Sequence, residues 1–196
     1  VTAQEVLALK PYSILVATGS NVISIPLEGL DQVQTVQAHD VLANDMQFAN
    51  KKVVVIGGGI TGLETALYIN RQGTNQVSVV DMLPEWPVDM LDMRYQNEAL
   101  LEVRHCNDQG VALFYNNKVV KFADGKLFIE STKDGEVKEL PADVIVLSVG
   151  VKPNDALWQE LLASGHPSVW KAGDAIATGK INKAVLHGSK FGYSLN

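Results

Sequence analysis

"VVVIGGGITGLETALYINRQG", Val53 to Gly73, decides the fold. Val53 to Ile56 are apolar whichever side they face, the pattern of a strand inside a parallel sheet covered by helices. From Ile60 the period changes to that of a helix. Ile60, Leu63 and Leu67 share one face, Ala66 and Ile69 widen it, and Gly73 offers a C-terminal stop. At the junction stand three consecutive glycines, which with Gly62 give the pattern Gly57-x-Gly59-x-x-Gly62. Placed after a strand and at the start of a helix, each glycine has its own physical task. Gly57 permits the tight turn. Gly59, lacking a Cβ, lets the backbone approach a pyrophosphate, and Gly62 lets the helix pack closely on the strand. A diphosphate there meets the N–H groups of the first turn, Ile60 and Thr61 among them, and the positive end of the helix dipole. A tight βα turn without a ligand would use the same residues, and that reading stays open.

Working outward, "QVSVVD" (Gln76 to Asp81) is the next strand, so the unit is β–α–β with an acid at its end. Asp81 stands 24 positions after Gly57, near the spacing of ~20 at which a carboxylate reaches the adenosine ribose. It would accept hydrogen bonds from the ribose hydroxyls and repel a 2′-phosphate. Met82 and Leu83 follow, with no arginine to welcome that phosphate, so the pattern selects NAD(H) over NADP(H). The alternative is an acid that only caps the following turn.

On either side, "YSILVATGS" (Tyr12 to Ser20) reads as a buried strand and turn, Asn21 to Leu30 as irregular, and "HDVLAND" (His39 to Asp45) as a short helix. Pro84 and Pro87 mark a loop, and Met93 to His105 a helix. Turn signals at Asn116–Asn117, Asp124–Gly125 and Asp134–Gly135 then divide a three-stranded antiparallel meander, followed by a return strand from Val144 to Val149. A helix from Asn154 to Ala163 and a short strand around Val169 close the pattern. The fold class is therefore α/β: a Rossmann-like parallel sheet with helices and a meander.

Composition bounds the function. The 196 residues carry 16 Lys and Arg against 22 Asp and Glu, a net charge of −6, which disfavours nucleic acid and anionic membranes as partners. No apolar run approaches the roughly 18 residues of a membrane span. The single cysteine, Cys106, cannot form an internal disulfide, which points to a cytoplasmic setting. The chain opens at Val1 without an initiator Met or a signal-like segment and reads as cut from something longer. His39, His166 and His187 show no metal-ligand spacing, so no metal is expected. Cys106 follows His105 without a recognisable third group and reads as structural. Trp86, Trp158 and Trp170 are scattered and read as packing residues.

"ILVATGS", "VVVIGGGITGLETA", "VIVLSVGVKPN" and "VWKAGDA", in that order, resemble the pyridine nucleotide–disulfide oxidoreductases, flavoproteins with two dinucleotide-binding domains. "VTAQEVLALKPYSILVATGS", "HDVLAND" and "VVDMLPE" more closely resemble the C-terminal half of the 2,4-dienoyl-CoA reductase, enoate reductase and trimethylamine dehydrogenase group of NADH:flavin oxidoreductases. The resemblance implies an NAD(H)-binding domain at 51–150 inserted into an FAD-binding domain, of which 1–50 and 151–196 would be remnants that come together in space. It implies that Gly19 of the Ala17-Thr18-Gly19 motif and Gly173-Asp174 belong to the FAD side, with Asp174 on the ribityl chain. It also implies that Glu64 lies near the nicotinamide, and that Gly150 and Pro153 line that end. A solvated acid in a first helical turn, for Glu64, and a plain strand-to-helix turn, for Gly150 and Pro153, are the alternatives. The glycine turn expected to hold the FAD pyrophosphate has no counterpart here, which implies FAD binding through a missing N-terminal segment and a chain that alone is colourless and inactive, with a possible homodimer. No residue is assigned an acid–base or nucleophilic role, because the flavin carries that chemistry. A non-catalytic adenine-nucleotide module and part of an NADH oxidase or peroxidase are the other functional readings.

Overall fold

The computed structural model describes residues 1–84 and 93–195, with side chains for all but 93–98. Trp86 and Pro87 lie outside the described residues. In chain order the elements are α1 (Ala3–Ala8), β1 (Ile14–Val16), β2 (Ser20–Val22), β3 (Gln34–Gln37), α2 (Ala38–Ala43), β4 (Lys52–Ile56), α3 (Ile60–Asn70), β5 (Gln76–Val80), α4 (Met93–Asp108) and β6 (Ala112–Phe114). There follow β7 (Asn117–Ala123), β8 (Lys126–Ser131), β9 (Val137–Pro141), β10 (Val144–Leu147), β11 (Val151–Pro153), α5 (Ala156–Ala163), β12 (Val169–Lys171) and α6 (Ile181–Ser194). The chain forms two compact units, one from Ser24–Val149 and one from the two flanks Val1–Ile23 and Gly150–Asn196.

The first unit is built on a parallel sheet of order β3-β10-β4-β5-β6. Its central strands β4 and β10 are apolar on both faces because both faces are covered. Val53, Val55, Val77, Val79, Val144 and Val146 enter one core with Leu63, Ala66, Leu67 and Ile69 of α3 and Val103 and Cys106 of α4. The alternate residues Val54, Ile56, Val80, Ile145 and Leu147 enter a second core with Phe122, Leu127 and Ile129 of the antiparallel meander β7-β8-β9. Side-chain alternation along each strand thus feeds both layers at once. The strand before the Asn116–Asn117 turn, β6, pairs in parallel with β5 rather than antiparallel with β7. That turn therefore marks the exit from the sheet, and the first hairpin of the meander comes at Asp124–Gly125, both with positive φ.

Residues 24–50, grouped in the sequence with the N-terminal flank, belong in space to this unit. β3 pairs along β10 from Gln34 to Gln37, Val41 and Phe48 are buried in the helix-side core, and Ile25, Leu27 and Leu30 pack on the meander side. Burying those apolar groups, worth ~1.5–3 kcal/mol for each fully buried large side chain, is what draws the segment in.

In the flank unit β1 runs parallel to β12, and β2 pairs antiparallel with β11. Ile14, Val16 and Leu161 form a small core with Val6, Leu7, Leu157 and Trp158 from α1 and α5. Helix α1 has no counterpart in the sequence reading, although its start carries a capping signal. The Glu5 N–H donates to Thr2 Oγ1 at 3.3 Å and the Thr2 N–H donates to Glu5 Oε2 at 2.7 Å.

Candidate nucleotide-binding site

The glycine turn is held by steric necessity. Gly57 has φ of 110°, and a Cβ on it would stand 2.2 Å from the Ser148 carbonyl oxygen at the end of β10. A Cβ on Gly62 would stand 2.0 Å from the Gly57 carbonyl oxygen. These two glycines are thus reserved by the protein itself, for the turn and for the seating of α3 against it. The turn is also stitched down: the Gly57 N–H donates to the Val80 carbonyl at 2.8 Å, and the Ser148 N–H to the Ile56 carbonyl at 2.8 Å.

Gly59 differs from both. Its φ of −69° suits any residue, and a Cβ there would meet no atom of the described residues beyond its chain neighbours within 4 Å. Nothing in the fold demands glycine at this position, so the space it leaves is space for something else. Gly59 is also the N-cap of α3, and no side chain caps the helix. The first-turn amides of Ile60, Thr61 and Gly62 therefore keep their donors for a ligand. The residues fit a dinucleotide diphosphate.

Asp81 lies at the end of β5, half-buried, with both carboxylate oxygens engaged. Oδ2 accepts the Gly58 N–H at 2.6 Å and Oδ1 accepts the Leu83 N–H at 2.8 Å. The second bond is the turn-capping role that the sequence left open. The first ties the acid directly to the glycine turn, through the middle glycine that the GxGxxG pattern passes over. A carboxylate offers about four lone-pair directions, so two remain for ribose hydroxyls. Beside it, a Cβ on Gly58 would lie 3.0 Å from Tyr115 Cε1 and 3.2 Å from Asp81 Cβ. Tyr115, Asn117 and Ser148 are parts of this site that the sequence reading did not single out. Their one sequence signal was the Asn-Asn pair after an apolar strand, whose Asn116 takes a φ of 58°.

Glu64 is exposed and is the fifth residue of α3, beyond the first turn, which holds no acid. The helix-dipole alternative for Glu64 is weakened accordingly.

In the flank unit, Gly19 and Gly173 line one cleft of about 490 Å³ with Asp174, Lys180 and Ile181. Asp174 Oδ1 accepts the Gly179 N–H at 3.1 Å, which shapes the loop leading into α6. The N-terminus of α6 carries no side-chain cap. Gly150, with φ of 92°, sits on the β2–β11 ribbon, where its carbonyl accepts the Ile23 N–H at 3.1 Å. A largely apolar cleft with one carboxylate fits the flavin and ribityl part of FAD.

Cys106 is buried on the core face of α4 with Ala99 and Val103, while His105 pairs with Glu102 at 3.8 Å. Burial, with the charge of the nearby Glu102 adding to it, pushes the Cys106 thiol up to about 11. At pH 8 about one thiol in a thousand would be ionised. Native protein should therefore leave a thiol-reactive disulfide reagent unreacted over minutes, and denatured protein should consume one equivalent; rapid reaction of the native chain would show an accessible thiol. Among the described residues no group of three His, Cys, Asp or Glu is placed to hold a metal, and no helix is long and apolar enough to cross a membrane.

The chain is similar to an NADH oxidase from Thermoanaerobacter brockii, 31% identical over 98% of this chain and 29% of that protein. It is similar to a bilirubin reductase from Mediterraneibacter gnavus, 34% identical over 78% of this chain and 22% of that protein. Among solved structures it matches a 2-naphthoyl-CoA reductase with a TM-score of 0.82 at 25% identity, over 98% of this chain and 28% of that one. A thioredoxin reductase from T. acidophilum shares the fold with a TM-score of 0.69. The chain spans less than a third of the length of the curated relatives named here. The family profile of the pyridine nucleotide-disulphide oxidoreductases, proteins that use NAD(H) and FAD, matches residues 3–188. With that match over nearly its whole length, and with the glycine turn and α/β fold that accompany it, the chain belongs to the pyridine nucleotide-disulphide oxidoreductase family.

Proposed function

We propose that this chain is the NADH-binding part of a flavin-dependent oxidoreductase of the NADH:flavin, dienoyl-CoA or enoate reductase type. The observation that carries the reading is the contrast within one turn: Gly57 and Gly62 are demanded by the protein's own atoms, whereas among the described residues Gly59 has open space beside an uncapped helix start. In this reading Ser24–Val149 holds NADH, and the flanking unit holds part of the FAD. The amides of Ile60 and Thr61 take the diphosphate, and Asp81 takes the ribose hydroxyls. Glu64 belongs to the nicotinamide end of the bound NADH. Gly19, Gly173 and Asp174 hold the flavin side. Bound FAD supplies the acceptor for the nicotinamide hydride, while the chain's own residues bind and orient. Cys106, the one cysteine, is too deeply buried to act as a redox thiol.

Asp81 makes the nucleotide preference testable. A 2′-phosphate placed against its carboxylate costs on the order of 1 kcal/mol or more, so NADH should bind about tenfold tighter than NADPH, or better. Calorimetric titration of both nucleotides reads this directly. Equal affinities would remove Asp81 from the ribose site, and absence of binding by either would remove the reading altogether.

A further inference from the structure

Two polar residues are buried in the described structure, Thr65 and Asn117. The Thr65 hydroxyl is satisfied by the Thr61 carbonyl. Asn117 is not fully satisfied: it is 8% exposed, and its side-chain carbonyl oxygen is buried without a hydrogen-bond partner. A side chain kept only to fill that space would be apolar, because an orphaned buried oxygen loses its hydration for nothing. The reason for an asparagine must therefore lie in its other bonds.

Its side-chain bond and the backbone bonds beside it tie this turn to Asp81. The Asn117 N–H donates to the Asp81 carbonyl at 2.9 Å, and its Nδ2 donates to the Tyr115 carbonyl at 2.7 Å. The same turn is tied to Asp81 and Leu83 by two further bonds: the Asp81 N–H donates to the Phe114 carbonyl at 2.9 Å, and the Asn116 N–H to the Leu83 carbonyl at 2.8 Å. Asn116 holds a left-handed φ of 58°, which asparagine adopts more readily than other residues with a Cβ. The bond from Asn117 Nδ2 to the Tyr115 carbonyl closes the turn around it. The Tyr115 ring then stands against Gly58, whose N–H is in turn held by the Asp81 carboxylate.

We infer that Asn117 is a positioning residue of the nucleotide site. It locks the 115–117 turn, so that the Asp81 carboxylate and the Tyr115 ring stand at fixed distances from the glycine turn, and through Asp81 it sets the preference for NADH over NADPH. The inference rests on the proposed reading that Asp81 takes the ribose hydroxyls.

The test is calorimetry with NADH and NADPH on the wild-type chain, on Asn117→Ala and on Thr132→Ala, with thermal melting of each. Thr132 bonds to the same turn through the Asn116 carbonyl but not to Tyr115 or Asp81, so it controls for loss of stability alone. Asn117→Ala should weaken NADH about tenfold and NADPH by less than about threefold, shrinking the preference severalfold. Thr132→Ala should melt earlier with the preference intact. Asn117→Ser, too short to reach the Tyr115 carbonyl, gives the same reading where the alanine variant does not fold. Equal weakening of both nucleotides by a folded Asn117 variant, an unchanged preference, or failure of both Asn117 variants to fold would each overturn the inference. A wild-type chain with no NADH preference would instead overturn the reading of Asp81, and the inference with it.

Discussion

Gly62→Ala should lose NADH binding and melt earlier. The new methyl would be placed 2.0 Å from the Gly57 carbonyl oxygen, and the obstacle is backbone rather than a flexible side chain. Relief requires α3 to withdraw from the turn, or the turn to lift from the strand ends. Forced overpacking of this kind costs ~1–3 kcal/mol. For a chain of this size each kcal/mol lowers the melting temperature by about 2–4 °C, so a drop of roughly 2–12 °C is expected by circular dichroism. Affinity should fall at least about a hundredfold, since the first-turn amides move away from the diphosphate they must meet together. A Gly62→Ala protein that melts and binds like the wild type would mean that α3 does not seat on the glycine turn.

Gly59→Val should separate binding from folding. Among the described residues no atom beyond the chain neighbours lies within 4 Å of the new Cβ, and the φ of −69° suits the substituted residue. Stability should therefore stay within about 0.5 kcal/mol of the wild type. Binding should not survive. The side chain occupies the approach to the helix start, where two or more charge-assisted hydrogen bonds of about 1.5–3 kcal/mol each would be lost. NADH affinity should fall about a hundredfold or more by calorimetry. A stable variant with undiminished affinity would show that the space beside Gly59 is not where the diphosphate goes.

The βαβ unit was legible because each of its elements carries its own period. The double-faced run Val53–Ile56, the helical stripe from Ile60 and the strand Gln76–Val80 each report local burial, and the acid at position 81 falls at the end of the second strand. Elements whose burial depends on a distant partner were not legible. β3 is the polar stretch Gln-Thr-Val-Gln and becomes an edge strand only because β10 pairs with it. Helix α1 is six residues with no buried position, so its capping box was its whole signal. The motif assigns tasks to Gly57, Gly59 and Gly62 but not the atoms that enforce them. GxGxxG does not say that Gly58 is the residue whose N–H is taken by Asp81, or that Ser148 of a strand far along the chain is what forbids a side chain at Gly57. Asn117 was read as part of a turn signal, and what it holds in place follows only from the return of the chain past Asp81.

NADH is expected to lie on the glycine turn of the Ser24–Val149 unit. Amide chemical shifts of the isotopically labelled chain, followed as NADH is added, test it at single residues. The largest changes are expected at Gly59, Ile60, Thr61 and Gly62, with smaller ones at Asp81 and Leu83, all reversed by competing ADP-ribose. Changes confined to Gly19, Gly173, Lys180 and Ile181 in the flank unit, or no change at saturating NADH, would contradict it.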